Sequence, residues 1–277
     1  MPIEQATISV MDRGFLFGDG VYEVLPVFGN KLLRVDEHLN RLQNSLNRIS
    51  LLNPHSDEQW REIFSSLLEK NVGEDRAIYL QISRGAYPKR DLAIKVEFPP
   101  TIFAMVLSVT PPDIEILSAG ISVITVDDFR WGACDIKSTS LIANVMLKQQ
   151  AVAAEVEDAI LIKNCTVSEG TASNVFIVKN NVLSTPPTGH KLLPGITRDL
   201  VIEIARNNTI LVEEREIKEA ELYTADEIWM TSSTREIAPV IRINDEAVGS
   251  GKAGEMWKRV MDLYQQYKQL LRSSNEK

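Results

Sequence analysis

The chain has 277 residues, of which 44% are hydrophobic and 25% charged, and a formal net charge of -8. That length suits two domains of ordinary size with room for a substantial core, and a composition without low-complexity tracts excludes a disordered or membrane-spanning protein. The negative charge argues against broad attraction to nucleic acid or anionic lipid, so an anionic ligand needs a local cationic pocket. The opening segment, MPIEQATISVMDRG, has no basic stretch followed by an apolar run; no signal peptide is expected, and a cytoplasmic location follows. Cys134 and Cys165 stand in no metal-ligand spacing and His38, His55 and His190 are far apart, so neither a disulfide framework nor a metal site is expected.

In chain order, residues 6–10 (ATISV) and 21–27 (VYEVLPV) alternate or run apolar and read as strands, the second turning at Gly29-Asn30 into KLLRV as a β-hairpin. Leu39, Leu42, Leu46 and Ile49 then share one helical face. Ser56, with Gln59 three residues later, signals the capped start of a second helix reaching about Asn71. The β-rich runs AIYLQIS and TIFAMVLSV flank a polar loop over residues 84–100, which makes the first half α+β. Pro111-Pro112 ends a small N-terminal domain, residues 1–112, and the acidic stretch 113–120 reads as a linker to a larger C-terminal domain over 121–277. That half carries a strand at ISVITV, a helix from about Ser140 to Glu155, and a strand at AILI. A strand pair at SNVFIV and VLST, a helix opening at PGITRD, a strand at EIWMTSS and a long C-terminal helix from about Ala253 follow.

Lys137 stands among small and hydroxylic residues in RWGACDIKSTS. An amine at a strand end with little bulk around it can reach into a cleft and attack a carbonyl to form an imine, although such a lysine is otherwise a solvated surface charge. Glu169, in TVSEGTASNVFIV, reads as a turn residue between two strands; a carboxylate there can hold a protonated ring nitrogen or simply face water. Gly195, Ile196 and Thr197 fall at a helix N-terminus, where free N–H groups attract phosphate, and Ser233 and Arg41 add a hydroxyl and a cation. Each feature has a plainer reading as punctuation or surface charge. Together they supply an amine for an aldehyde, a carboxylate for a pyridinium and donors for a phosphate, the three groups of pyridoxal 5'-phosphate.

The runs DRGFLFGDGVYEV, EHLNRL, RWGACDIKSTSL, EGTASNVF, PGITRD and TSSTREIAPV resemble, in order and spacing, the fold-type IV pyridoxal-phosphate aminotransferases, most closely the D-amino acid (D-alanine) transaminases. The resemblance implies an α/β (α+β) two-domain fold, a homodimer, and a cofactor bound between the domains. It makes Lys137, in the C-terminal domain, the imine-forming lysine and proton carrier, and Glu169 the partner of the pyridine nitrogen. Arg41, Ile196, Thr197 and Ser233 would surround the phosphate, Leu193 would pack on the ring, and Tyr22 would face the substrate carboxylate. The implied reaction moves an amino group between a D-amino acid such as D-alanine and a 2-oxo acid such as 2-oxoglutarate by a ping-pong mechanism. No nucleic-acid or membrane partner is implied.

Two positions depart from that pattern. The extra short strand that usually precedes the ISVMDRG equivalent is absent, so either the start lies upstream or that strand is dispensable. In the loop SRGAYPKRDLAI, one inserted residue aligns Arg90 with the family's carboxylate-binding arginine and leaves Leu92 where a histidine is usual. The alternatives are 4-amino-4-deoxychorismate lyase, which uses the same lysine and cofactor, then branched-chain L-amino acid aminotransferase, and a cofactor-binding scaffold without turnover.

Overall fold

The computed structural model describes residues 1–94, 98–110 and 113–273. The chain divides into two compact units, residues 1–109 with 136–141, and residues 110–135 with 142–277.

In the first unit, a short 3-10 turn at Ile3–Gln5 precedes α1 (Arg13–Phe17), whose start is capped by the Asp12 carboxylate accepting the Gly14 N–H. Then come β1 (Gly20–Phe28), β2 (Lys31–Leu32), α2 (Val35–Arg48), α3 (Asp57–Lys70), β3 (Asp75–Ser83) and β4 (Thr101–Ser108). The strands form one antiparallel sheet in the order β2-β1-β3-β4. Alternation along β1 places Val21, Glu23 and Leu25 on one buried face, over which α2 packs, and Tyr22 and Val24 on the other. The capping box expected at Ser56 and Gln59 is present, and α3 buries Trp60 and Phe64. Residues 6–10, expected as a strand, form none: Ile8 and Val10 are exposed, and β-propensity without a partner strand does not make a sheet.

The second unit contains α4 (Ile114–Ser118), β5 (Ile121–Asp127), α5 (Ile142–Ala153), β6 (Asp158–Lys163), β7 (Thr166–Gly170), β8 (Asn174–Lys179) and β9 (Val182–Thr185). It continues through α6 (Ile196–Asn207), β10 (Leu211–Glu214), α7 (Glu219–Leu222), β11 (Glu227–Ser232), β12 (Glu236–Ile243), β13 (Glu246–Ala247) and α8 (Glu255–Ser273). One mixed sheet runs β10-β9-β8-β11-β12-β5-β6-β7, with β13 on β12. Ile160 and Ile162 of β6 join Val175, Ile177 and Ile228 on one face, while Ala159 and Leu161 meet Leu147 and Ala151 of α5 on the other. Burial on both faces is why β6 reads as an unbroken apolar run. Among the described residues no helix is long and apolar enough to cross a membrane.

Two features of the domain reading differ from the structure. Pro111 and Pro112 lie outside the described residues, and the stretch after them, expected as a linker, holds α4, whose first turn is capped by Asp113. The lysine segment, expected in the C-terminal domain, groups with the first unit because its backbone bonds to β1: the Tyr22 N–H donates to the Lys137 carbonyl at 2.9 Å, and the Thr139 N–H donates to the Gly20 carbonyl at 3.0 Å.

Candidate active site

In the first unit, β1 presents a different chemistry on each face. Tyr22 projects from one face, where its ring stacks on Tyr79, and the Lys137 amine sits 4.2 Å from the Tyr22 ring centroid. The Lys137 backbone is held from two sides, by the bond from Tyr22 and by its own N–H donating to Ser45 Oγ on α2 at 3.2 Å. A lysine fixed through its main chain can still move its amine on the four-carbon stem.

On the other face the Glu23 carboxylate lies under α2. Arg41 grips it with Nε to Oε1 at 2.9 Å and Nη2 to Oε2 at 2.8 Å, and His38 Nδ1 lies 2.8 Å from Oε2. Burial pushes the Glu23 carboxyl up, but the Arg41 guanidinium and His38 outweigh it and hold the group well below the usual carboxylate range. Burial also pushes the His38 imidazole down. Arg41 is therefore placed with its charge offset, and offers an anion donors more than net positive charge.

Arg90 is exposed, with its guanidinium carbon 5.2 Å from the Phe17 ring centroid; Arg13 sits over the same ring at 5.0 Å. Arg13 also donates to the carbonyls of Asp91 at 2.6 Å and Leu92 at 3.3 Å, which fixes the start of the Arg90 loop to α1.

In the second unit, Glu169 lies in β7 and not in the turn expected from the sequence; the turn follows it at residues 171–173. Its Oε2 accepts the Leu193 N–H at 3.0 Å, and its Oε1 accepts from Arg130 Nη1. Arg130 in turn grips Asp128, Nε to Oδ1 at 2.9 Å and Nη2 to Oδ2 at 2.8 Å. Burial raises the Glu169 carboxyl to about 6, against the lowering by Arg130 and the Leu193 N–H. A carboxylate poised there is ionised at neutral pH and is placed to hold a cation.

Ile196 and Thr197 are the buried first residues of α6, and the N-cap, Gly195, supplies no side-chain cap. A Cβ on Gly195 would stand 1.9 Å from Asn174 Oδ1, so any larger residue there would have to displace Asn174. Ser233 is half-buried in the turn between β11 and β12, two residues after Thr231, whose buried hydroxyl has no hydrogen-bond partner. Uncovered helix N–H groups and unsatisfied hydroxyls are what an anion takes up.

The structure thus brings Lys137 to Tyr22 in one unit, and Glu169 to Leu193 in the other. Glu23, His38, Asp128 and Arg130 carry no sequence signal of their own. Their partners lie 15 and 18 residues away for Glu23 and 39 for Arg130 and Glu169, so no local periodicity couples them.

Residues 20–243 match the family described as amino-transferase class IV. The chain is 37% identical to the D-alanine aminotransferase of Bacillus licheniformis over 265 residues, covering 96% of this chain and 93% of that one. Among solved structures it resembles the branched-chain amino acid aminotransferase of Escherichia coli, with a TM-score of 0.90 at 25% identity over 96% of this chain and 91% of that one. It also resembles the T.th. branched-chain amino acid aminotransferase with pyridoxamine 5'-phosphate, with a TM-score of 0.90 at 26% identity over 97% and 91%. The chain belongs to the class IV aminotransferases, a family that uses pyridoxal 5'-phosphate, and has their fold-type IV architecture. It is an aminotransferase.

Proposed function

We propose that this enzyme transfers the amino group of a D-amino acid such as D-alanine to a 2-oxo acid such as 2-oxoglutarate, with pyridoxal 5'-phosphate, in a cytoplasmic homodimer. The observation that carries the substrate is the 37% identity to a D-alanine aminotransferase across 96% of the chain, against 25–26% for the branched-chain enzymes that share the fold. Fold alone does not choose among substrates.

The donor set fits the cofactor. Lys137 offers an amine for the aldehyde, Glu169 a buried carboxylate for the ring nitrogen, and Leu193 an apolar surface for the ring. The Ile196 and Thr197 N–H groups, the Ser233 hydroxyl and Arg41 are the donors for the phosphate. When bound, the cofactor supplies an aldehyde that carries the amino group and a ring that accepts electrons. Lys137 takes the substrate Cα proton at Nζ and later returns it. Glu169 keeps the proton on the ring nitrogen, so that positive charge is in place where electrons arrive. Arg90, with the Tyr22 hydroxyl, binds the substrate carboxylate. Leu92 offers no hydrogen bond to help, which leaves the Arg90 fork as the main anchor.

One assay tests the reading. D-alanine with 2-oxoglutarate, L-leucine with 2-oxoglutarate, and aminodeoxychorismate are supplied in parallel and the products followed; turnover with D-alanine is expected to dominate, and preference for either other substrate overturns the assignment. In the same assay Arg90→Ala is expected to raise KM for D-alanine and to lower kcat/KM by about thirtyfold, the loss of a charge-assisted contact of about 2 kcal/mol. Lys89→Ala is expected to change little. Kinetic silence of Arg90→Ala with D-alanine would place the carboxylate elsewhere. Light scattering giving only a monomer mass would remove the homodimer.

A further inference from the structure

Two charged side chains stand behind the Glu169 carboxylate, and all three are within the second unit and nearly inaccessible: Asp128 and Arg130 are each 7% exposed, and Glu169 5%. We propose that Arg130, clamped by Asp128, is a positioning residue that keeps Glu169 ionised and aimed, and that Asp128 sets how strongly it does so. This rests on the proposed role of Glu169 at the ring nitrogen.

One edge of Arg130, Nε and Nη2, is taken bidentately by Asp128, whose Oδ2 also accepts the Ser168 hydroxyl at 2.8 Å. That pairing fixes the plane of the guanidinium and leaves Nη1 as the donor that meets Glu169 Oε1. The other oxygen, Oε2, accepts the Leu193 N–H at 3.0 Å, and Asn174 Nδ2 lies 3.5 Å from it. The carboxylate is therefore held at both oxygens, and its aim is set by groups from three different segments.

The charges are uneven. Arginine stays protonated in proteins, so with both carboxylates ionised the cluster carries one net negative charge. A buried net charge is unfavourable unless something compensates it. A monocationic group, such as a protonated pyridine ring, completes the cluster; a neutral one does not. Cys134, pushed up to about 11 by burial, stays a neutral thiol beside it, and Lys163 donates at 3.4 Å to the Arg130 carbonyl. Arg130 and Asp128 are thus the charged pair that governs Glu169, and they act in opposite senses: the guanidinium favours its ionised form and the aspartate disfavours it.

Opposite senses give a test that a merely structural role would not pass. The full-length protein is titrated by infrared spectroscopy, following the protonated-carboxyl band that disappears in Glu169→Gln, first without cofactor and then loaded with pyridoxal 5'-phosphate. Without cofactor the wild-type midpoint is expected at about 6. In Arg130→Gln it is expected to rise by about one to three pH units, the usual effect of removing an adjacent opposite charge. In Asp128→Asn it is expected to fall, because Arg130 then serves Glu169 alone, and Arg130→Lys should lie nearer wild type than Arg130→Gln. The acid limb of the pH–rate profile of the loaded enzyme should move in the same directions. An unmoved midpoint in Arg130→Gln, or movement of both variants the same way, overturns the proposal. Should Arg130→Gln fail to fold, the downward movement in Asp128→Asn decides. If the midpoints move as stated while Glu169→Gln keeps full turnover, the Arg130 coupling stands and the role of Glu169 at the ring falls.

Discussion

Lys137→Ala is expected to lower transamination by at least about four orders of magnitude, because one substitution removes both the nucleophile and the group that carries the proton. The fold should survive. Lys137 is tied in by its main chain, through the carbonyl that accepts from Tyr22 and the N–H that donates to Ser45, and alanine keeps both bonds. What disappears includes an amine over the Tyr22 ring, a contact of about 0.5–1 kcal/mol. Circular dichroism and thermal melting should therefore match wild type while turnover is lost. A complementary measurement locates the chemistry: borohydride treatment of the loaded enzyme, followed by peptide mapping, should label Lys137. Label on another lysine, or substantial turnover in Lys137→Ala, would remove it from the reaction.

Glu169→Gln is expected to keep the fold and bind cofactor while losing roughly two to four powers of ten in turnover, since a neutral amide does not hold a pyridinium proton as a carboxylate does. Stability should move the other way. The folded carboxyl titrates near 6, above its ordinary value of 4.5, so folding disfavours the ionised form. The penalty is absent below the unfolded value, grows as pH rises through this window, and is complete above about 6, where it amounts to about 2 kcal/mol. An isosteric amide escapes it, and Arg130 keeps its bidentate partner Asp128. At neutral pH the cofactor-free variant should melt no lower than wild type, and the wild type should gain on it as the solution is acidified. Near-normal turnover would sink the assignment of Glu169. A collapse of melting temperature would show that its role is to hold the fold.

How far the sequence reached can be seen element by element. The α3 cap was legible because Ser56 and Gln59 signal it within four residues, and α2 because its apolar face repeats within the helix itself. Strands β3, β4 and β6 were legible as β-rich runs. Glu169 was found as a residue but misplaced as a turn, because TVSEG looks polar; its burial comes from Arg130, 39 positions upstream, and from the Leu193 N–H. Residues 113–120 looked like a linker because an acidic residue after two prolines is common in one, yet the same Asp113 caps a helix whose apolar side chains, such as Ile116, stay exposed. Of the Glu23, His38 and Arg41 network only Arg41 was singled out, since the bonds that join the three cross from β1 to α2, 15 and 18 positions apart, and no local pattern pairs a strand glutamate with a helix cation.

The nucleophile segment has a consequence for how the molecule is made. Residues 136–141 belong to the first unit, although the chain on either side of them belongs to the second. The N-terminal unit is therefore not finished when Val109 leaves the ribosome. Its sheet can form from β1 to β4, but the strand-edge bridge of Val21 with Ser138 waits for the chain to travel out and return. Until then, the Gly20 carbonyl and the Tyr22 N–H lack the bonds that later fix the lysine. A scaffold assembled in that order acquires its reactive amine last, so chain broken off before this return holds no lysine at the Tyr22 ring.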